Sequence, residues 1–225
     1  MDLKEYRNKE FKNYVILNIF IILFYSIDFC RLNIEELKVN FEVFQKFFPL
    51  ILSSSAIYVY VFLIDSLLPD GCKAKFVNLW SDLPGFTVFT NIKKEVKDGR
   101  FTKEQAAEKY NDIYEKMDEI SDPDKLKRFE NAEWYKIYQK YKESTKILIS
   151  NRDYLLCRDL CSISLLILII YIVVTICFDI IILNWDVVGF LFTEYIITNI
   201  AARHKAKRFV MNVISEDINK KDNEF

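Results

Sequence analysis

Apolar and charged residues are segregated along this chain. The run Cys161–Leu183, CSISLLILIIYIVVTICFDIIIL, holds one charge, Asp179, in 23 residues, and about 20 such residues suffice to cross a bilayer. Three further apolar runs predict spans. Tyr14–Phe29 contains Asn18 and Asp28, Phe47–Leu68 has Asp65 near its end, and Val187–Ala202 is 16 residues long with Glu194 inside. Sixteen residues rise about 24 Å, short of the roughly 30 Å hydrocarbon core. A snorkelling Arg203 would lengthen that span.

Between the second and third runs lies the only polar block of domain size, residues 70–158. Thr102-x-x-Gln105 fits a capping box. Behind it Ala106, Tyr110, Ile113, Met117 and Ile120 fall on one face, which predicts a single helix. Ser121-Asp122-Pro123 breaks that pattern, with Pro123 suited to the first turn of a second helix. Leu126, Phe129, Trp134, Ile137, Tyr138, Tyr141 and Leu148 continue at helical spacings, so the two helices predict an antiparallel hairpin. No Pro or Gly lies between Pro123 and Gly189, which predicts one rod running from the hairpin into the long span. Upstream, Leu83-Pro84-Gly85 predicts a turn, and the alternation in FTVFT predicts a short strand or an extended loop.

Charge placement supports counting the fourth run as a span. Lys and Arg near span ends mark the cytoplasmic side. Lys4, Arg7, Lys9 and Lys12 precede the first run, Lys73 and Lys75 follow the second, and Arg152 and Arg158 precede the third. The connection Cys30–Lys46 has Arg31, Lys38 and Lys46, offset by Glu35, Glu36 and Glu42, the connection 184–186 has no base, and Arg203, His204, Lys205, Lys207 and Arg208 follow the fourth run. Four spans with both termini inside put the densest basic clusters in the cytoplasm. The first run has no small-x-small site after it, so it reads as a retained span rather than a signal peptide. The expected fold is an all-α membrane protein with four transmembrane helices and a cytoplasmic helical hairpin inserted between the second and third. Its parts are 1–69 (spans about 14–29 and 47–68), 70–158 (cytoplasmic helical domain), 159–202 (spans about 161–183 and 187–202) and 203–225 (a basic, then disordered, cytoplasmic tail). The location is the inner (plasma) membrane.

Composition narrows the chemistry. The mean hydropathy of +0.06 is too low for an all-membrane bundle and high for a soluble domain. Cys177 lies inside the long span, and Cys72, Cys157 and Cys161 fall near the cytosolic side, so the cysteines predict reduced packing residues. His204 is the only histidine and there is no Gly-rich phosphate loop. The expectation is therefore not an enzyme, with no catalytic residues, no metal and no cofactor. WYKIYQKYKESTK interleaves rings and bases, but bases and acids nearly balance across 70–158, so nucleic acid is not an expected partner.

Polar groups inside apolar runs are the candidate sites, because a charge at mid-bilayer costs about 2.5–3.5 kcal/mol on insertion scales. Asp179 and Glu194, in adjacent spans, are expected to share a polar pocket with Asn18, Asn199 and Thr193. Such a pocket serves as a proton or ion site, as the lining of a pore, or as hydrogen-bonded glue between spans. Arg203, Lys205, Lys207 and Arg208 are candidates for lipid-headgroup contact, at about 1 kcal/mol per base. Phe209–Ile214 would continue that helix along the interface.

LPGFTVFTNI, a helix carrying Tyr110, then NAEWYKIY, then NRDYLLCRDL entering a span, resembles a group of small multi-pass bacterial membrane proteins associated with phage-defence loci. The likeness covers roughly residues 80–165. The group has no assigned activity, so no functional residue carries over. Two functions are expected. One is a membrane effector that multimerises and permeabilises the inner membrane when its cytoplasmic part receives a signal. The other is a non-conducting anchor or sensor that recruits a cytoplasmic protein partner.

Overall fold

The computed structural model describes residues 3–26, 59, 63, 66–78, 82–96, 98–177 and 183–220. Among these the chain is all-helical: α1 (Leu3–Ser26), α2 (Asp70–Val77), a 3₁₀ turn at Pro84–Phe86, α3 (Val88–Lys94), α4 (Lys103–Lys109), α5 (Asn111–Asp118), α6 (Pro123–Tyr141), α7 (Thr145–Cys177) and α8 (Trp185–Asn219). The fold divides into two compact units. The first comprises Met1–Val77 and Leu156–Ala201, the second Asn78–Leu155 and Ala202–Phe225. Helices α7 and α8 each contribute residues to both.

The first unit has a largely aliphatic core between α1, α7 and α8. Phe11, Val15 and Ile19 of α1 meet Ile163, Ile167 and Tyr171 of α7 and Val187 and Leu191 of α8. The steps of four residues put each set on one helical face. Apolar side chains also face outward. Ile169, Val173 and Ile176 of α7 and Phe192, Ile196 and Ile200 of α8 are all exposed. Soluble surfaces rarely expose so many large apolar side chains along two helices. Thr145–Ile176 is the one helix among the described residues that is long and apolar enough to cross a membrane. The apolar part of α1 is shorter because Lys9, Glu10 and Lys12 occupy its first half, and α8 carries Glu194 and then a basic run. The expected span 47–68 falls largely outside the described residues.

The second unit is built on a shared aromatic and aliphatic core. Val88, Phe89 and Ile92 of α3, Tyr110, Met117 of α5, Trp134 and Tyr141 of α6, Ile147 of α7, and Phe209, Val210, Val213 and Ile214 of α8 are among its buried members. Local signals set the helix starts. The Thr102 side chain accepts from the Gln105 backbone while Gln105 accepts from the Thr102 N–H, completing the capping box. Asp122 caps α6 through the Asp124 and Lys125 N–H groups, with Pro123 in the first turn.

Four expectations are corrected. FTVFT is not extended: after the 3₁₀ turn it forms α3, whose buried Val88, Phe89 and Ile92 follow helical spacing. The reason is tertiary, because buried Glu130 of α6 accepts the Thr90 N–H at 2.9 Å and the Thr90 hydroxyl, satisfying the first turn of α3. The single helix expected from Thr102 onward breaks at Tyr110 (φ −112°, ψ 21°) into α4 and α5. The expected rod is interrupted at 142–144, where Ser144 donates its N–H to the Tyr141 carbonyl and a short polar run starts α7. Finally, the described part of the expected tail, 203–220, is helical up to Asn219. Helix α8 continues to Asn219, and Phe209, Val210, Val213 and Ile214 lie in the core of the second unit instead of along an interface. Residues 221–225 lie outside the described residues.

Burial raises the Glu130 carboxyl above its ordinary value of 4.5, against the lowering effect of the Thr90 hydrogen bonds. A raised folded-state value means that the folded chain holds the proton more tightly. That contribution to stability is fully present below about pH 4.5 and is lost as pH rises through the raised value. Glu130→Gln is expected to flatten the fall in unfolding free energy between pH 4.5 and neutrality, read by chemical denaturation across that range. Equal slopes in variant and wild type would refute the assignment.

Candidate functional site

Among the described residues of the first unit, an interhelical polar cluster is built on α1, α7 and α8. Asn18 of α1 donates its Nδ2 to Glu194 Oε1 of α8 at 3.1 Å and to the Tyr14 carbonyl at 3.1 Å. One turn back, the Tyr14 hydroxyl meets Ser164 Oγ of α7 at 2.7 Å. Ser164 also lies 3.3 Å from Thr198 Oγ1, which itself donates to the Glu194 carbonyl at 2.8 Å. Ser164 bonds its own helix at the Leu160 carbonyl. Two acceptor atoms in this cluster, Asn18 Oδ1 and Glu194 Oε2, are buried with no hydrogen-bond partner among the described residues. They belong to the two side chains already joined by the Asn18–Glu194 bond. An orphaned buried acceptor is uncommon and calls for a cause.

The structure thus brings together two of the sequence candidates, Asn18 and Glu194. Asp179 lies outside the described residues. Asn199 is engaged elsewhere in the same unit. Its Nδ2 caps the end of α2 through the carbonyls of Phe76 (3.2 Å) and Val77 (3.0 Å), and the Tyr195 hydroxyl also reaches Phe76. Thr193 is exposed and bonds the Gly189 carbonyl. Tyr14, Ser164 and Thr198 were not expected. Tyr14 and Thr198 each sit four residues from a candidate, one turn along the same face, and that spacing is the signal that would have found them.

The basic run after Ala202 splits over the faces of α8. Lys205 Nζ pairs with Asp153 at 2.9 Å. Arg203 and Lys207 line a cleft in the second unit, and Arg208 is exposed. Other long-range polar contacts of that unit range from exposed ion pairs such as Lys93–Asp118 to buried side-chain bonds. The Tyr110 hydroxyl donates to Asp217 Oδ2 at 2.9 Å. Arg100 donates to Asn212 Oδ1 at 2.6 Å, and Asn212 donates to Ser150 at 2.9 Å. Among the described residues no group of three His, Cys, Asp or Glu side chains is placed to hold a metal ion, and Cys72, Cys157 and Cys161 form no disulfide.

No protein-family model, curated protein or solved structure matches this chain. The fold and the cluster therefore define a class only: among the described residues, an all-helical arrangement with one helix long and apolar enough to cross a membrane, and an acid hydrogen-bonded between helices.

Proposed function

We propose that this chain is a four-span protein of the bacterial inner membrane with both termini in the cytoplasm. In this reading its second unit receives a cytoplasmic signal, and its first unit, assembled with further copies of the chain, answers by permeabilising the bilayer in anti-phage defence. The observation that carries it is the sharing of α7 and α8. The helices whose apolar parts would span the membrane also supply Ile147, Phe209, Val213 and Ile214 to the core of the second unit. A signal that repacks that core acts on the spanning helices themselves. An ionisable residue in an apolar unit, Glu194, adds support, since such groups are retained in membranes chiefly for function.

A second reading, a non-conducting anchor that recruits a soluble partner, is favoured by one observation. Glu194 is engaged by Asn18 of the same chain, as glue between helices would be.

Membrane potential in expressing cells, with and without phage challenge, separates the two. Depolarisation on challenge is expected, and its absence under both conditions leaves the anchor. Glu194→Gln is the informative variant, because its amide supplies a donor for the orphaned Asn18 Oδ1 while still accepting from Asn18 Nδ2. Its expression and thermal midpoint are expected to match the wild type. Depolarisation is expected to fall at least tenfold, and an unchanged response would remove Glu194 from the conducting path.

A further inference from the structure

We propose that the polar cluster of the first unit is a proton-binding site, which holds one proton on Glu194 Oε2 and shares it with Asn18 Oδ1. Every donor that the described residues bring to the cluster is already committed. The Thr198 hydroxyl gives its single proton to the Glu194 and Tyr195 carbonyls, at 2.8 and 3.0 Å. Ser164 gives its own to the Leu160 carbonyl at 2.6 Å, so the Tyr14 hydroxyl, 2.7 Å from Ser164 Oγ, is the donor of that pair. The two amide protons of Asn18 go to the Tyr14 carbonyl and to Glu194 Oε1, which also fixes which end of the amide is oxygen. What remains is a shortage of donors. Two buried acceptors, Asn18 Oδ1 and Glu194 Oε2, are stranded on side chains that are bonded to each other.

A single proton meets that shortage. On Oε2 it turns one stranded acceptor into a donor, and the other stranded acceptor receives it. It also removes the charge. Asn18 is 1% exposed, and the described contacts of the Glu194 carboxyl are Asn18 and Tyr14, neither of them a base. A carboxylate unpaired in apolar surroundings neutralises in preference to staying charged. Among the described residues, Tyr14 of α1 is the titratable group that faces it, while Ser164 of α7 and Thr198 of α8 do not titrate. A metal cation fits less well, since calcium takes about six to eight oxygen ligands and magnesium about six, and two oxygens are stranded here. Water would donate to both acceptors and leave the carboxylate charged. Release of the proton strands both acceptors and leaves a charge between α1 and α8, so the site ties the contact of those helices to its proton.

The site deepens the reading of Glu194 given above and rests on it for the membrane setting, not for permeabilisation. A spectrum of purified protein therefore fails independently of the depolarisation assay. The full chain in neutral detergent is compared with Glu194→Gln by infrared spectroscopy at neutral pH. The difference is expected to show the carbonyl stretch of a protonated carboxyl, lost in the variant and shifted down in heavy water. Bands of other carboxyls, that of buried Glu130 included, are common to both proteins and cancel.

In Asn18→Leu the same band is expected to persist and to move up in frequency, because the carboxyl has lost its amide partner. That shift is read against the wild type, so it stands even where Glu194→Gln folds poorly. An unmoved band overturns the pairing with Asn18. A carboxylate band at Glu194 overturns the proton itself, and water or another donor then serves the two acceptors. Thermal midpoints are also read in sodium chloride and in choline chloride at equal ionic strength, and equal values are expected. A sodium-dependent rise that Glu194→Gln abolishes would overturn the proton assignment and give the site to a cation.

Discussion

Trp134→Ala is expected to lower the unfolding free energy of the full chain by about 3–5 kcal/mol, the usual cost of deleting a large buried ring. Trp134 is the centre of the aromatic cluster in the second unit. It stacks on Tyr138 (centroids 5.7 Å apart, planes 8° apart) and meets Phe209 of α8 edge-on at 5.5 Å. Tyr138 and Tyr154 contact the same Phe209, at 5.4 Å and 6.1 Å. The 3₁₀ turn presses against it as well: a Cβ added at Gly85 would lie 3.4 Å from the Trp134 ring and 2.9 Å from Asn131 Oδ1. Removing the indole therefore opens a cavity where α6, α8 and the turn converge. The indole Nε1 is buried without a partner among the described residues, so Trp134→Phe deletes an unsatisfied donor and keeps a ring. It is expected to recover more than half of the loss. Urea denaturation in neutral detergent checks both, and a loss below about 1 kcal/mol for Trp134→Ala would show that the ring is not part of the core.

The parts of this fold that could be read from the sequence are those fixed within one turn of chain. The capping box at Thr102 and Gln105 and the Asp122-Pro123 start of α6 involve partners at most three residues apart, and both form as the residue types dictate. The features that escaped depend on distant partners. Helix α3 depends on Glu130, 40 residues from Thr90. The breaks at Tyr110 and at 142–144 interrupt apolar stripes that look continuous, because the stripe records which face is buried and not where the backbone bends. The basic run hid the helix beneath it: Arg203–Arg208 looks like the end of a span, although α8 continues beyond it into a core. The polar cluster divides the same way. Asn18 and Glu194 stand out in apolar runs by their chemistry. Tyr14, Ser164 and Thr198 do not, since hydroxyls are common in membrane helices, where they bond the preceding turn, as Ser164 and Thr198 also do here.

Tyr110→Phe is expected to cost about 2–3 kcal/mol, far more than one oxygen atom suggests, because it strands a buried charge. Tyr110 is 3% exposed and Asp217 of α8 is 4% exposed, and the hydroxyl donates to Asp217 Oδ2 at 2.9 Å. Burial, reinforced by the facing carboxylate, pushes the Tyr110 phenol above its ordinary value, so the hydroxyl keeps the proton that it donates. Position 110 is also where α4 ends and α5 begins, and its ring meets Phe89 of α3 edge-on at 5.2 Å. The same side chain therefore joins the bend, α3 and the C-terminal part of α8. Asp217→Asn keeps an acceptor for the hydroxyl without the charge and is expected to cost about 1 kcal/mol or less. In Tyr110→Phe/Asp217→Asn the stranded group is neutral, so the double variant should be more stable than the sum of the single losses implies. A coupling of at least about 1 kcal/mol in that cycle is the expected result. Additivity within about 0.5 kcal/mol would mean that Asp217 is already satisfied by other groups or by water, and that the hydroxyl is not what holds α8 to the bend.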